Sequence, residues 1–252
     1  FMENQIPTSQ EVRYHEPKRL PASAGIKWIT DAFGIFKLHP WKWMGVLLAY
    51  MIVGFVVSII DLLGINALSS LKGIVFSWVG SCLVGGAMYV ANNINNGKAF
   101  DVKDFFIVFL DKKMSFFILL LLQVLFSIAV SLLIIPLYFA GHWAMMIGVV
   151  LIVIVLLSIF LLTPALIVLD GLKPWEAIKA NVKAAMCNIP AILVYVVGVA
   201  LYSFMWGVLG SMLGQWIIMI ILLLFLPVSA VLLLAPYIAY RSIYPNGRIV
   251  KS

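Results

Sequence analysis

The sequence predicts an all-α membrane bundle of six transmembrane helices, arranged as three hairpins, on three observations. The chain of 252 residues is 64% apolar and only 11% charged, with a mean hydropathy of +1.11. Soluble domains run nearer ~50% apolar and ~25% charged, so a water-soluble enzyme, a disordered chain and a collagen-like fibre are all excluded. Six continuous apolar stretches approach the ~20 residues that a helix needs to cross about 30 Å of hydrocarbon. Sixteen of the 17 basic residues fall in alternate connectors, leaving Lys72 on the other side. Barrel strands would be ~10 residues of alternating polarity, which these runs are not.

The elements follow in order. Residues 1–24 read as a flexible cytoplasmic tail. Phe1 precedes Met2, which reads as an initiator, and no cleavable signal peptide is expected because no short apolar run ends in a small-residue site. Ile26–Leu38 is amphipathic. Lys27, Thr30, Asp31, Gly34 and Lys37 share one helical face, and Ile29, Ala32, Phe33 and Phe36 share the other. The first hairpin is Met44–Leu63, a turn at Gly64–Lys72, and Gly73–Ala91.

A second amphipathic segment, Asp101–Leu110, has Asp101 as its cap and Phe105, Phe106 and Phe109 as its apolar side. Met114–Phe139, a turn at Ala140–His142, and Trp143–Leu169 form the second hairpin. The third segment opens Lys173-Pro174-Trp175-Glu176, with proline at the first helical position and an acid in the first turn, both helix-start signals. Its Glu176, Lys179 and Lys183 face water, while Trp175, Ile178 and Val182 face lipid or protein. Ile189–Gly210, a turn at Ser211–Gln215, and Trp216–Tyr240 complete the set, and 245–252 is a second tail. The membrane domain is thus 25–244. Since lysine and arginine mark the cytoplasmic side, both termini are expected there.

The unit of amphipathic segment, span, tight turn and span is used three times. The second, fourth and sixth spans run into Asn96-Gly97, Asp170-Gly171 and Asn246-Gly247, with the glycines about 75 residues apart. The words Pro164-Ala165, Val168-Leu169-Asp170-Gly171 and Trp175-Glu176-Ala177-Ile178-Lys179-Ala180-Asn181, in this order of elements, resemble a group of bacterial six-span inner-membrane proteins. That group includes the YciC-like proteins and the membrane domain of some glycerophosphodiester phosphodiesterases. The resemblance covers most of Ala24–Tyr244 and implies a bacterial inner-membrane location. The phosphodiesterase catalytic domain is absent, so it implies no activity.

Chemistry-bearing residues are few. Asp61 ends the first span and Lys72 begins the second, as an interfacial clamp or as a gate. Gln123 lies mid-span among leucines and phenylalanines, either bonding a neighbouring helix or lining a pathway. His15, His39 and His142 are far apart, and the sequence has no HExxH, paired CxxC, GxSxG or phosphate-binding glycine loop. No enzyme, cofactor or metal is expected. Cys82 and Cys187 are too few for a disulfide framework. Ser81, Gly85 and Gly86, and Gly207, Gly210 and Gly214, are spacings that let helices approach. Pro136, Pro164, Pro227 and Pro236 kink or end spans, either shaping the bundle or opening a cavity. Trp28, Trp41, Trp43 and Trp175 on one side, with Trp143, Trp206 and Trp216 on the other, are expected as interface belts, and Trp78 as packing.

The net charge of +7 is topogenic and attracts anionic lipid; nucleic acid is not an expected partner. Lys27, Lys37, Lys112, Lys179 and Lys183 are the expected headgroup contacts. The leading expectation is a non-catalytic accessory or scaffold subunit, or a bilayer-organising protein, partnered by a membrane protein or a second copy. The rival is a transporter or lipid-handling protein with a cavity between the hairpins.

Overall fold

The computed structural model describes residues 15–58, 66–139, 158–212 and 215–247, together with Gly141, Ala144, Gly148 and Val155. Within these the chain is helical and contains no strand. The helices are α1 (Ala24–Leu38), α2 (Pro40–Ser58), α3 (Asn66–Asn95), α4 (Ile107–Asp111, after a 3-10 turn at Val102–Phe106), α5 (Lys113–Phe139), α6 (Thr163–Val168), α7 (Pro174–Cys187), α8 (Ile189–Met212) and α9 (Gln215–Ile243).

Among the described residues, three stretches are long and apolar enough to cross a membrane: Lys72–Asn95, Lys113–Val130 and Phe225–Ile243. The pair α7 and α8, bent by 100°, passes the same test only when its two helices are taken together as one broken span. Pro40–Val56 and Ser158–Val168 are shorter apolar helices. The end of the first expected span and most of the fourth lie outside the described residues.

Proline accounts for the bends. Pro190 at the second position of α8 has no N–H for the helix ladder, and its ring would strike the carbonyl four residues earlier, so α7 cannot run straight on. Pro40 does the same between α1 and α2. At Pro164 the helix is interrupted, Leu161 and Leu162 are bends, and α6 restarts at Thr163.

α3, α6 and α9 pack on one another and form the interior. Half of the α9 span is buried, against 39% of the α3 span and 17% of the α5 span, so α5 lies outside. The segments expected to be amphipathic each pack on one of the interior helices. α1 lies along α9 and α8, the 3-10 turn and α4 lie on α3, and α7 lies on α6. Gly86 makes the second contact possible, because a Cβ there would fall on the backbone of Phe105. Gly97, Gly171 and Gly247 follow α3, α6 and α9 with φ of 77°, 70° and 78°, a left-handed conformation that costs glycine nothing. At the first of them Lys98 N–H bonds back to Asn93 O at 2.9 Å and closes the helix end.

The buried face of α1 is Ala24, Gly25, Trp28, Ala32, Ile35 and Phe36. The face expected from the sequence was rotated slightly from this, since Phe33 is exposed and Trp28 is covered. Residues 24, 28, 32 and 35 form one stripe at helical spacing, on the side of α1 that packs against α8 and α9. Trp28 and Trp43 therefore do not belong to an interface belt. Both are 1% exposed. Trp28 stands edge-on to Tyr195 at 6.2 Å, and Trp43 to Phe100 at 5.0 Å and Phe105 at 5.5 Å. Trp41, by contrast, is 80% exposed.

Candidate functional site

Two regions of the fold carry polar chemistry: the end of the bundle where the lysines gather, and a cavity between the helices. At the first, α1 and α7 bury their apolar faces in protein and turn their charged faces outward. Lys27, Lys37, Lys179 and Lys183 are exposed, and Lys112 is half-buried at the junction of α4 and α5, beside Gly171. Lys37 Nζ stands 5.0 Å from the centre of the Phe33 ring, and Lys179 Nζ 5.5 Å from that of Trp175. Both rings are about half exposed. Each pair thus presents an ammonium at the surface over a half-exposed aromatic ring. Lys183 pairs with Glu16 at 2.5 Å, with both side chains exposed, so this bond is worth little in water.

The helix ends beneath that surface are tied by polar side chains that the sequence did not single out. Asn93 donates to Asp104 at 2.7 Å, which fastens the 3-10 turn to α3. The Tyr237 hydroxyl donates to Asn92 at 3.3 Å, Tyr240 to Asp170 at 3.0 Å, and Tyr244 to the Ala180 carbonyl at 3.3 Å. One face of α9 thus reaches α3, the end of α6, and α7. The signal was present in the spacing, since tyrosines at i, i+3 and i+7 form a stripe, but apolar composition hid it.

Two fully buried asparagines hold the bends. Asn181 on α7 accepts from Leu162 N–H at 2.9 Å and donates to the carbonyls of Ser158, at 2.7 Å, and Ile159. Those are backbone groups that the interruption before Pro164 would leave unpaired, and broken backbone among apolar helices is tolerated only when so satisfied. Asn188, between α7 and α8, donates to the carbonyls of Lys18 and Ala184 at 3.0 Å each and accepts from Leu20 N–H at 2.8 Å. It therefore pins the segment before α1. Asp101 caps the 3-10 turn by accepting from Lys103 N–H at 2.9 Å.

The second region is a cavity of about 630 Å³ lined from α3, α5, α6, α8 and α9. Its walls are apolar (Met88, Leu120, Phe160, Leu161) except for Ser77, Gln123, Ser127 and Tyr195. Pro164 and Pro236 also line it, so it lies where those prolines were expected to act. The Tyr195 hydroxyl is occupied, donating to Leu232 O at 3.3 Å. Gln123 has no hydrogen-bond partner among the described residues, and it lines the cavity.

The remaining sequence candidates are not brought together. Lys72 sits half-buried on α3, while Asp61 lies outside the described residues, as does any pairing between them. Among the described residues no group of three or more His, Cys, Asp or Glu could hold a metal. Comparison with protein-family models, with curated proteins and with solved structures finds no match.

Proposed function

We propose that this chain is a non-catalytic, multi-pass protein of a bacterial inner membrane, with six spans as three hairpins and both termini cytoplasmic. It holds anionic lipid at its lysine-rich end, as an accessory or scaffold subunit or as an organiser of the bilayer. The observation that carries this is the disposition of α1 and α7. Most of their apolar residues are turned into the bundle, and what they turn outward includes Lys27, Lys37, Lys179 and Lys183, two of them stacked on half-exposed aromatic rings. The left-handed glycines that close α3, α6 and α9, and the three segments each packed on an interior helix, support the threefold repeat.

Native mass spectrometry of the detergent-purified chain tests the lipid reading. Retention of cardiolipin or phosphatidylglycerol should exceed that of phosphatidylcholine. Changing Lys27, Lys37, Lys112, Lys179 and Lys183 to Gln should reduce it, at about 1 kcal/mol for each lysine near the surface. Equal retention of the zwitterionic lipid, unmoved by the substitutions, would refute it. The cavity bordered by Gln123 favours a second reading, a lipid-handling or transport protein whose ligand enters between the hairpins.

A further inference from the structure

We propose that the cleft between α2, α3 and the 3-10 turn with α4 holds one acyl chain of an anionic phospholipid, with the phosphate on Lys42. The cleft has a volume of about 390 Å³, and its walls include Val46, Tyr50, Val79, Leu83, Phe105 and Phe109. Lys42 is the charged residue among the described lining. Its Nζ donates to the Phe100 carbonyl at 3.2 Å and stands 5.1 Å from the centre of that ring. The ammonium is thereby fixed at the mouth with two of its three N–H donors left for a ligand.

Length and width decide what fits. From Lys42 to Val53, α2 rises about 16 Å at ~1.5 Å per residue. That is close to half of the ~30 Å hydrocarbon core, the depth of one leaflet. A helix ~10 Å across would need more than about 1,000 Å³ over that length, so it could lie across the mouth but not within the cleft. The interior offers a headgroup nothing, because the Tyr50 hydroxyl is already directed to Phe76 O at 3.4 Å. The cleft is also open rather than filled. Val53, Val102 and Phe106 are about half exposed along it, and a Cβ on Gly45 would meet nothing within 4 Å. A cation at one end of a chain-wide apolar slot one leaflet deep is complementary to an anionic lipid entering from the leaflet at the lysine-rich end. The site deepens the anionic-lipid reading above and rests on it.

The test places the full chain in nanodiscs with phosphatidylglycerol carrying a diazirine at mid-chain, and maps the labelled peptides. A matched phosphatidylcholine probe runs in parallel. Labelling should concentrate on 46–53 and 105–109 with the anionic probe. Lys42→Gln should lower it about fivefold, the change that corresponds to about 1 kcal/mol for one lysine. Gly45→Phe, which fills open space, should abolish it. Labelling of the outward face of α5 around Leu125 and Leu132 should be unchanged in both variants and serves as the folding control. Cleft labelling that is equal for both probes, or indifferent to both substitutions, overturns the proposal. So does a disulfide cross-link between two copies of a Gly45→Cys variant. If the five-lysine variant loses anionic lipid while Lys42→Gln changes nothing, the cleft fails and the broader reading stands. Cleft labelling that responds to Lys42→Gln while the five-lysine variant retains every lipid supports the cleft and removes the surface.

Discussion

Asn181→Ala should be among the most damaging single substitutions in this chain. The wild-type amide is 0% exposed and serves three backbone groups at the interruption before Pro164. Ile159 O keeps a second donor, the Thr163 hydroxyl at 3.2 Å, so its loss is covered. Leu162 N–H is not so covered: Leu162 is 0% exposed, its bond to Asn181 is 2.9 Å long, and no water reaches it. Leaving one buried donor unpaired costs about 1–3 kcal/mol, and the weakened Ser158 carbonyl and the small void add to that. The expected loss is about 2–4 kcal/mol. Asn181→Asp should be no better, since it keeps the acceptor for Leu162 but turns a carboxylate oxygen toward two carbonyls. Reversible unfolding in mixed micelles, with Lys179→Ala on the exposed face of α7 as the control, measures both. A loss for Asn181→Ala within about 0.5 kcal/mol of the Lys179→Ala value would show that the interruption satisfies its backbone another way.

Two further expectations follow from the interior. Gly86→Ala should destabilise by about 1–3 kcal/mol, because the new methyl falls on the Phe105 backbone and the 3-10 turn must lift from α3. Gly34→Ala, whose methyl meets nothing within 4 Å, should instead stabilise by about 0.5–1 kcal/mol through helix propensity; thermal denaturation of both variants checks the contrast. Gln123→Leu should leave stability unchanged or raised, since it removes an amide that no described group satisfies, while reducing retention of any lipid held in the cavity. Unchanged retention by native mass spectrometry would take Gln123 out of the second reading.

Much of this protein was determined by composition and charge. A chain with this apolar content must be helical where it meets hydrocarbon, since only helices and closed barrels satisfy their own backbone there. The starts at Asp101 and Pro174, the break at Pro164, and the glycines that close α3, α6 and α9 were legible because each depends on a few neighbouring residues. The ends of the apolar runs were less so. Helix α3 continues to Asn95, beyond the apolar run that ends at Ala91, because Asn92 and Asn93 find partners in Tyr237 and Asp104.

Tertiary structure alone decided which face of each helix is covered. Amphipathicity says that α1 has two faces, but lipid and protein are both apolar, so periodicity could not tell an interface tryptophan from a core one. Trp28 and Trp41 look alike in sequence, and one is buried on Tyr195 while the other is exposed, because α8 and α9 cover only the stripe through residues 24, 28, 32 and 35. The same holds for the polar residues that matter most. Asn181 and Asn188 stand in segments that read as solvated interfacial helix. Their roles depend on backbone groups 19 to 23 residues away and, at the N-terminal segment, 168 to 170 residues away. Partnership at such a distance is set by how the helices stack, and local pattern carries no trace of it.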